Sequence, residues 1–266
     1  MLIRIGSNDN NRIKLVRKLQ TRKGRTAECK FVAEGINLVS EAVRRGMDID
    51  FIMVPEQALS DGSRDMLINE YIKSDHLTVC AVPDKIFDKL TDADNGVGIL
   101  AVVRMLTRDI SYIRELPPES NILILDRLQD PGNIGTIIRT AVAAGYGMII
   151  GIKGTADVWS HKVLRATAGM IFDIPFAYAD NAPDLCNMIR STGRRITVTD
   201  PAGGKPYYEE NLRSGTALVI GNEGNGISDE VMSLADVRVT LPMKGEIESL
   251  NAAISAAILM YEAVRK

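Results

Sequence analysis

The chain has 266 residues, of which 45% are hydrophobic and 25% charged, with a net charge of −2. That is enough apolar material for one large or two modest buried cores, and it excludes a chain too small or too polar to build one. Cys29, Cys80 and Cys186 are far apart and lack metal-ligand spacing, which excludes a disulfide scaffold or a zinc module and fits a reducing compartment. Met1–Ser7 lacks the apolar centre of a signal peptide, and no stretch approaches the roughly 20 apolar residues of a membrane span. A cytoplasmic protein without membrane contact is therefore expected. Charge is uneven: residues 1–46 hold eleven Lys or Arg against four Asp or Glu, a net +7 that leaves −9 for the remainder. A polyanionic partner and a solvated basic helix face account for that asymmetry equally well.

From Asn11 to Gln20 the pattern is helical, with Ile13, Val16 and Leu19 on one side and Arg12, Lys14, Arg17 and Lys18 elsewhere. Arg22-Lys23-Gly24-Arg25 then reads as a basic, flexible turn. Phe31-Val32-Ala33-Glu34-Gly35 leads into a helix from Ile36 to Arg45, with Leu38, Val39, Ala42 and Val43 at helical spacing and Gly46 as its stop. Strands are expected at 50–54, 77–81 and 98–104, so residues 1–106 read as a small α/β domain. Residues 107–120 mix charge with Pro117-Pro118 and keep no period, which marks a linker. Beyond it, strands are expected at 121–125, 148–152, 171–177, 195–199, 216–221 and 237–241, and helices at 133–144, 161–168, 183–191 and 250–264. Apolar strands alternating with helices call for a mostly parallel sheet covered on both faces.

Three stretches sit just past such strands, where open α/β sheets bind ligands. In Asp130-Pro131-Gly132-Asn133, Pro presets one dihedral, Gly permits another, and Asn133 suits a helix cap. In the helix that follows, Ile134, Ile137, Ile138, Ala141 and Val142 form one stripe. Arg139 lies about 100° or more around from it, free to face a ligand. Taken alone, an ordinary cap and an exposed arginine explain this stretch as well. The second stretch, Gly221-Asn222-Glu223-Gly224-Asn225-Gly226, lets backbone approach a ligand closely and adds one negative charge at Glu223. It is neither the dinucleotide fingerprint nor a phosphate-cradling loop, and in isolation it is a turn. The third runs from Pro242-Met243 to Ser249-Leu250-Asn251. Ser249 reads as an N-cap with Asn251 in the first turn, ahead of a helix whose core face is Leu250, Ala253, Ile254, Ala257, Ile258 and Tyr261. Its small residues allow another backbone to come close, in the same subunit or in a partner.

Together these residues carry a resemblance. Asp126 precedes Asp130-Pro131-Gly132-Asn133-Ile134-Gly135 with Arg139; Gly221, Glu223, Gly224 and Gly226 end the next strand; and Leu241-Pro242-Met243 precedes Ser249-Leu250-Asn251. The sequence resembles the SpoU (TrmH) family of SPOUT-class RNA 2′-O-ribose methyltransferases, continuously from about Asn121 to Lys266. The N-terminal part resembles, through Phe31-x-x-Glu34-Gly35, the substrate-binding domain that many members carry, related in shape to ribosomal RNA-binding proteins. The resemblance implies an α/β fold in which residues 121–266 form a Rossmann-like parallel-sheet SPOUT domain with a C-terminal trefoil knot. Residues 1–106 would be the small α/β substrate-binding domain. It also implies S-adenosylmethionine as cofactor, RNA as substrate and a homodimer. Asn133, Arg139, Glu223, Ser249 and Asn251 fall on the family's catalytic positions. Gly221, Leu241 and Leu250 fall where backbone holds the adenosine, with Thr199, Ile220 and Met243 as further lining.

The residue types bear on the chemistry. A sulfonium methyl is already electrophilic, so the protein must align a ribose hydroxyl with it and help remove the proton, with no metal required. Arg139 stays protonated and is better suited to gripping a phosphate and stabilising a developing alkoxide than to acting as a base. Asn133 and Asn251 would position groups through their amides. His76 and His161 are expected to be structural or solvated, and Arg165 touches RNA, touches a partner subunit, or sits on a helix surface. Methylation of an RNA base and a non-catalytic RNA-binding or ribosome-assembly role stand as alternatives, and the basic N-terminal part disfavours a small-molecule substrate. Ribosomal RNA is favoured over transfer RNA by analogy of the N-terminal domain.

Overall fold

A computed structural model describes residues 1–60, 66–91, 98–201, 203–244 and 249–265. They form two compact units, Met1–Met105 with Trp159–Phe172, and Leu106–Val158 with Asp173–Lys266. No helix among the described residues is long and apolar enough to cross a membrane.

In chain order the first unit contains β1 (Leu2–Arg4), α1 (Asn11–Leu19), α2 (Arg22–Glu28), β2 (Lys30–Glu34), α3 (Ile36–Arg44) and β3 (Ile49–Pro55). It continues with α4 (Gln57–Ser60), α5 (Met66–Lys73), β4 (Val79–Val82), α6 (Asp84–Phe87) and β5 (Leu100–Arg104). Its sheet has the order β1-β4-β3-β5-β2, with β5 antiparallel to both neighbours and the other pairs parallel. Ile13, Val16 and Leu19 of α1 are buried on Met53, Cys80, Leu100 and Val102, as the helical spacing predicts. The basic stretch after α1 is not a flexible turn. Thr21 caps α2 by accepting from the N–H of Gly24 at 3.1 Å, and Gly24 is buried against the end of α1. A Cβ on Gly24 would stand 1.8 Å from the carbonyl oxygen of Lys18, so the glycine serves close packing. Later in the chain α8 (His161–Thr167) joins this unit, and the Phe31 ring lies 5.0 Å from Trp159 and 6.0 Å from Phe172. His161 pairs through Nε2 with Glu34 at 3.1 Å, a structural role of the kind expected for it.

The second unit contains β6 (Ile122–Asp126), α7 (Pro131–Ala143), β7 (Met148–Ile152), β8 (Phe176–Ala179), α9 (Ala182–Ser191) and β9 (Arg195–Thr199). It ends with β10 (Lys205–Pro206), β11 (Thr216–Gly221), α10 (Asp229–Ser233), β12 (Val237–Thr240) and α11 (Ala252–Glu262). The sheet order is β10-β12-β9-β11-β6-β7-β8, parallel at every described pairing, as the uniformly apolar strands require. The expected strand at 171–177 is divided: Met170–Asp173 is a 3₁₀ turn, and β8 begins only after Pro175, whose ring nitrogen cannot donate to a ladder. In the stretch read as a linker, Ile110–Glu115 forms a 3₁₀ helix with Ile113 fully buried. Arg194, 2% exposed, donates to the carbonyls of Leu116, Pro117 and Ser120. The winding of the chain reverses beside β6, with β7 and β8 on one side and β11 and β9 on the other.

Candidate active site

β11 pairs with β6 so that Gly221 stands opposite Asp126, and the two loops therefore leave the sheet side by side. Gly221 is required there, because a Cβ would come within 2.4 Å of the Gly226 backbone. Asp126 is 1% exposed, and its carboxylate accepts from the Ser228 N–H at 2.6 Å and from Nε of Arg127 at 3.2 Å. Those bonds tie the first strand end to the segment that follows the second loop.

Asn222 organises the second loop. Its Oδ1 accepts from the N–H groups of Gly224 and Asn225 at 3.0 and 3.1 Å, and its Nδ2 donates to the Arg127 carbonyl at 2.9 Å. The Asn222 and Gly226 backbones exchange two further bonds of 2.9 Å each. Composition gave no hint of this role. The available signal was an asparagine two residues before a glycine at a strand end, the setting in which an Asn side chain replaces a backbone turn.

Glu223 joins the first and second loops. Its carboxylate accepts from the N–H groups of Gln129 and Asp130 at 3.2 and 3.0 Å and from the Asn133 amide at 3.2 Å. Partial burial pushes this carboxyl up, but the N–H groups of Asp130, Glu223 and Gln129 and the Asn133 amide outweigh it and hold it below the ordinary carboxylate value. The Asn133 amide oxygen in turn accepts from Asn251 at 2.9 Å, which brings in the third stretch. One hydrogen-bonded chain, Glu223 to Asn133 to Asn251, thus connects residues from three separate parts of the sequence.

Two caps differ from expectation. The α7 cap is Asp130, which accepts from the Asn133 N–H at 2.7 Å, and this releases the Asn133 side chain for Glu223 and Asn251. The α11 cap is Asn251, whose Oδ1 accepts from Ala253 and Ile254, so Ser249 is not the cap and the helix begins at Ala252. The buried face of α11 is Ala253, Ala256, Leu259 and Met260, whereas Ile254 and Tyr261 are each 52% exposed. In each case a side chain with a better reach to the first free N–H groups displaces the expected cap.

Beside the network lies a cavity of about 740 Å³. Thr199, Ile220, Gly221, Leu241, Met243 and Leu250 all line it, with Glu223 and Ser249. Asn133 and Asn251 do not line it themselves, although Leu250 and Ala252 on either side of Asn251 do. Arg139 is not brought to this cavity: it is exposed on α7 and makes no hydrogen bond or ion pair among the described residues. Gly245–Glu248 of the third stretch lie outside the described residues.

Residues 120–261 match the SpoU rRNA Methylase family, more than half of the chain. The chain belongs to that family. Residues 10–101 match a second family, the MRM3-like substrate binding domain. The chain is 33% identical over 257 residues to 23S rRNA (guanosine(2553)-2'-O)-methyltransferase RlmP of Bacillus subtilis, covering 97% of each protein. It is 30% identical to the 23S rRNA (uridine(2479)-2'-O)-methyltransferase of Streptomyces viridochromogenes, over 93% of this chain and 87% of that one. Among solved structures, the AdoMet-bound rRNA methyltransferase from Sinorhizobium meliloti superposes with a TM-score of 0.82 at 31% identity, covering 98% of this chain and 97% of its own. The SpoU methyltransferase AviRb from Streptomyces viridochromogenes, in complex with AdoMet, gives 0.81 at 26% identity over 96% of this chain and 98% of its own. The SpoU members share the parallel-sheet architecture described above.

Proposed function

We propose that this protein transfers a methyl group from S-adenosylmethionine to a ribose 2′-hydroxyl of ribosomal RNA. The observation that carries the reading is the Glu223–Asn133–Asn251 chain at the rim of the cavity, formed by the three loops that the SpoU resemblance singles out. The cavity fits the cofactor: its volume is that of a small-molecule site, and Ile220, Leu241, Met243 and Leu250 offer apolar walls to a flat heterocycle while strand-end backbone faces its polar edges. When bound, the cofactor supplies an electrophilic methyl.

The protein's part is alignment. Glu223 is saturated by N–H donors and held as a carboxylate, so it organises the loops and does not act as a base. It fixes Asn133, and Asn133 fixes Asn251, which together with Ser249 borders the space where a ribose would lie. Arg139 keeps its guanidinium available for an RNA phosphate and for charge developing on the attacking oxygen. Residues 1–106 present the RNA, with Trp159–Phe172 packed into their unit, and the rest of 121–266 carries out transfer, with 107–120 preceding it; the match of residues 10–101 to a substrate-binding family supports that division. Such an enzyme would work in the cytoplasm, where ribosomal RNA is made in bacteria. A homodimer belongs to the same reading, supported by the exposed Ile254, Tyr261 and Val264 at the C-terminal helix. So does the family's trefoil knot, supported by the TM-scores of 0.82 and 0.81 to the two AdoMet-bound structures, and stretching the chain from its termini would leave it short of its full contour length.

The deciding test supplies methyl-labelled S-adenosylmethionine to unmodified ribosomal and transfer RNA separately and then applies alkali. Label in alkali-resistant dinucleotides from ribosomal RNA is the expected result, because a 2′-O-methyl group blocks cleavage at its own linkage. Label in mononucleotides would show base methylation, and label from transfer RNA alone would move the substrate class.

A further inference from the structure

We propose that Arg127 grips a phosphodiester oxygen of the RNA beside the target ribose, an inference that rests on the function proposed above. Among the described residues only Cys29, Arg127 and Ala168 combine a side chain with positive φ. Cys29 and Ala168 close helices in the left-handed conformation that helix ends commonly use. Arg127, at φ 59°, closes no helix; it follows β6 directly, at the sheet edge that holds the cavity. The conformation costs roughly 1–2 kcal/mol for a residue with a Cβ, and glycine would avoid that cost. The backbone alone therefore gives no reason for an arginine.

Its surroundings hold the side chain in one place. The Arg127 carbonyl accepts from Asn222 at 2.9 Å, and Nε donates to the buried Asp126 at 3.2 Å. Its stem lies over Gly154, where an added Cβ would come 3.0 Å from Cγ and 3.6 Å from Cβ and Cδ. The side chain is 43% exposed, and its two terminal nitrogens make no hydrogen bond among the described residues. A guanidinium with an anchored Nε and two open nitrogens is a preorganised fork for a phosphate. Asn222, which holds its carbonyl, and Glu223, which holds Gln129 and Asp130 just beyond it, both line the cavity. The fork thus stands at the end of β6, next to the end of β11 that lines the cavity.

The competing role is that of a counter-ion for Asp126, and R127G separates the two because it removes the side chain and relieves the backbone. Binding of the organism's own 23S ribosomal RNA, transcribed in vitro, is measured between about 50 and 200 mM salt. R127G is expected to weaken binding about tenfold and to reduce the salt slope by about one contact, with R127K retaining most of that slope. Its S-adenosylmethionine affinity by calorimetry should stay within about twofold of wild type, since Arg127 does not line the cavity. An unchanged slope and affinity in folded R127G would leave only the counter-ion role. If R127G does not fold, R127K and R127Q replace it, and equal slopes for those two overturn the proposal. Wild type that transfers no methyl to RNA sinks the function itself, whereas active wild type with an unchanged R127G slope sinks this inference alone.

Discussion

In the first unit β1, β4 and β3 run parallel and send their carboxyl ends to one edge, just as β6 and β11 do in the second. The residues at those ends differ. In the first sheet β1 ends in the exposed Arg4, ahead of the buried Ile5, whereas β4 and β3 end in Val82 and Pro55, both buried, and short helices follow directly at Asp84 and Gln57. The second ends in Asp126 and Gly221, and the Asn133, Glu223 and Asn251 side chains of the loops there bond one another across gaps of 90 or more residues. Parallel strands gather loops at one edge, but only glycine, amide and carboxylate residues make that edge a site. The same strand geometry filled with apolar residues is simply closed by packing.

Substitutions can break that contrast. The largest effect on the rate is predicted for Arg139→Lys, which should lower kcat about a hundredfold while cofactor affinity stays within about twofold, since a lysine cannot reproduce the fork. A large loss of cofactor affinity by calorimetry would place Arg139 in the cavity wall instead. Next comes Met53→Ala in the fully buried core of the first sheet, expected to cost about 2–5 kcal/mol in denaturant unfolding. The folded fraction should bind cofactor normally, and impaired binding there would dissolve the distinction between the two edges.

Gly221→Ala sharpens the comparison from the other side. Its Cβ must displace the Gly226 backbone, so a loss of about 1–3 kcal/mol in stability is expected together with at least tenfold weaker cofactor binding. The smallest effect concerns pH. Because the folded Glu223 carboxyl sits below its ordinary value, its contribution is complete above about pH 4.3 and is lost as pH falls through the lower folded value. The acid limb of wild-type stability should therefore be steeper than that of E223Q, and coincident limbs would mean that the N–H donors do not hold the charge.

Much of the second sheet was legible because its strands are short apolar runs bounded by loops; 148–152, 195–199 and 216–221 match β7, β9 and β11 residue for residue. Thr199, Ile220, Gly221, Leu241, Met243 and Leu250, scattered in sequence, line one cavity together. What could not be read was pairing. Nothing local shows that Asp130 takes the cap and frees Asn133, or that Asn251 does the same in place of Ser249. Gly24 misled for a related reason, because a glycine needed for close approach and one needed for flexibility look alike until the neighbouring backbone is in view.

The packing of Phe31 against Trp159 and Phe172 also bears on how the protein is made. The last strand of the first sheet ends at Arg104, yet the aromatic cluster under β2 needs residues up to Phe172. At a synthesis rate of about 5–20 residues per second, roughly 3–14 s separate translation of those two points. During that interval Phe31 lacks its ring partners, so the first unit cannot be completed until the Leu106–Val158 part of the second has been made.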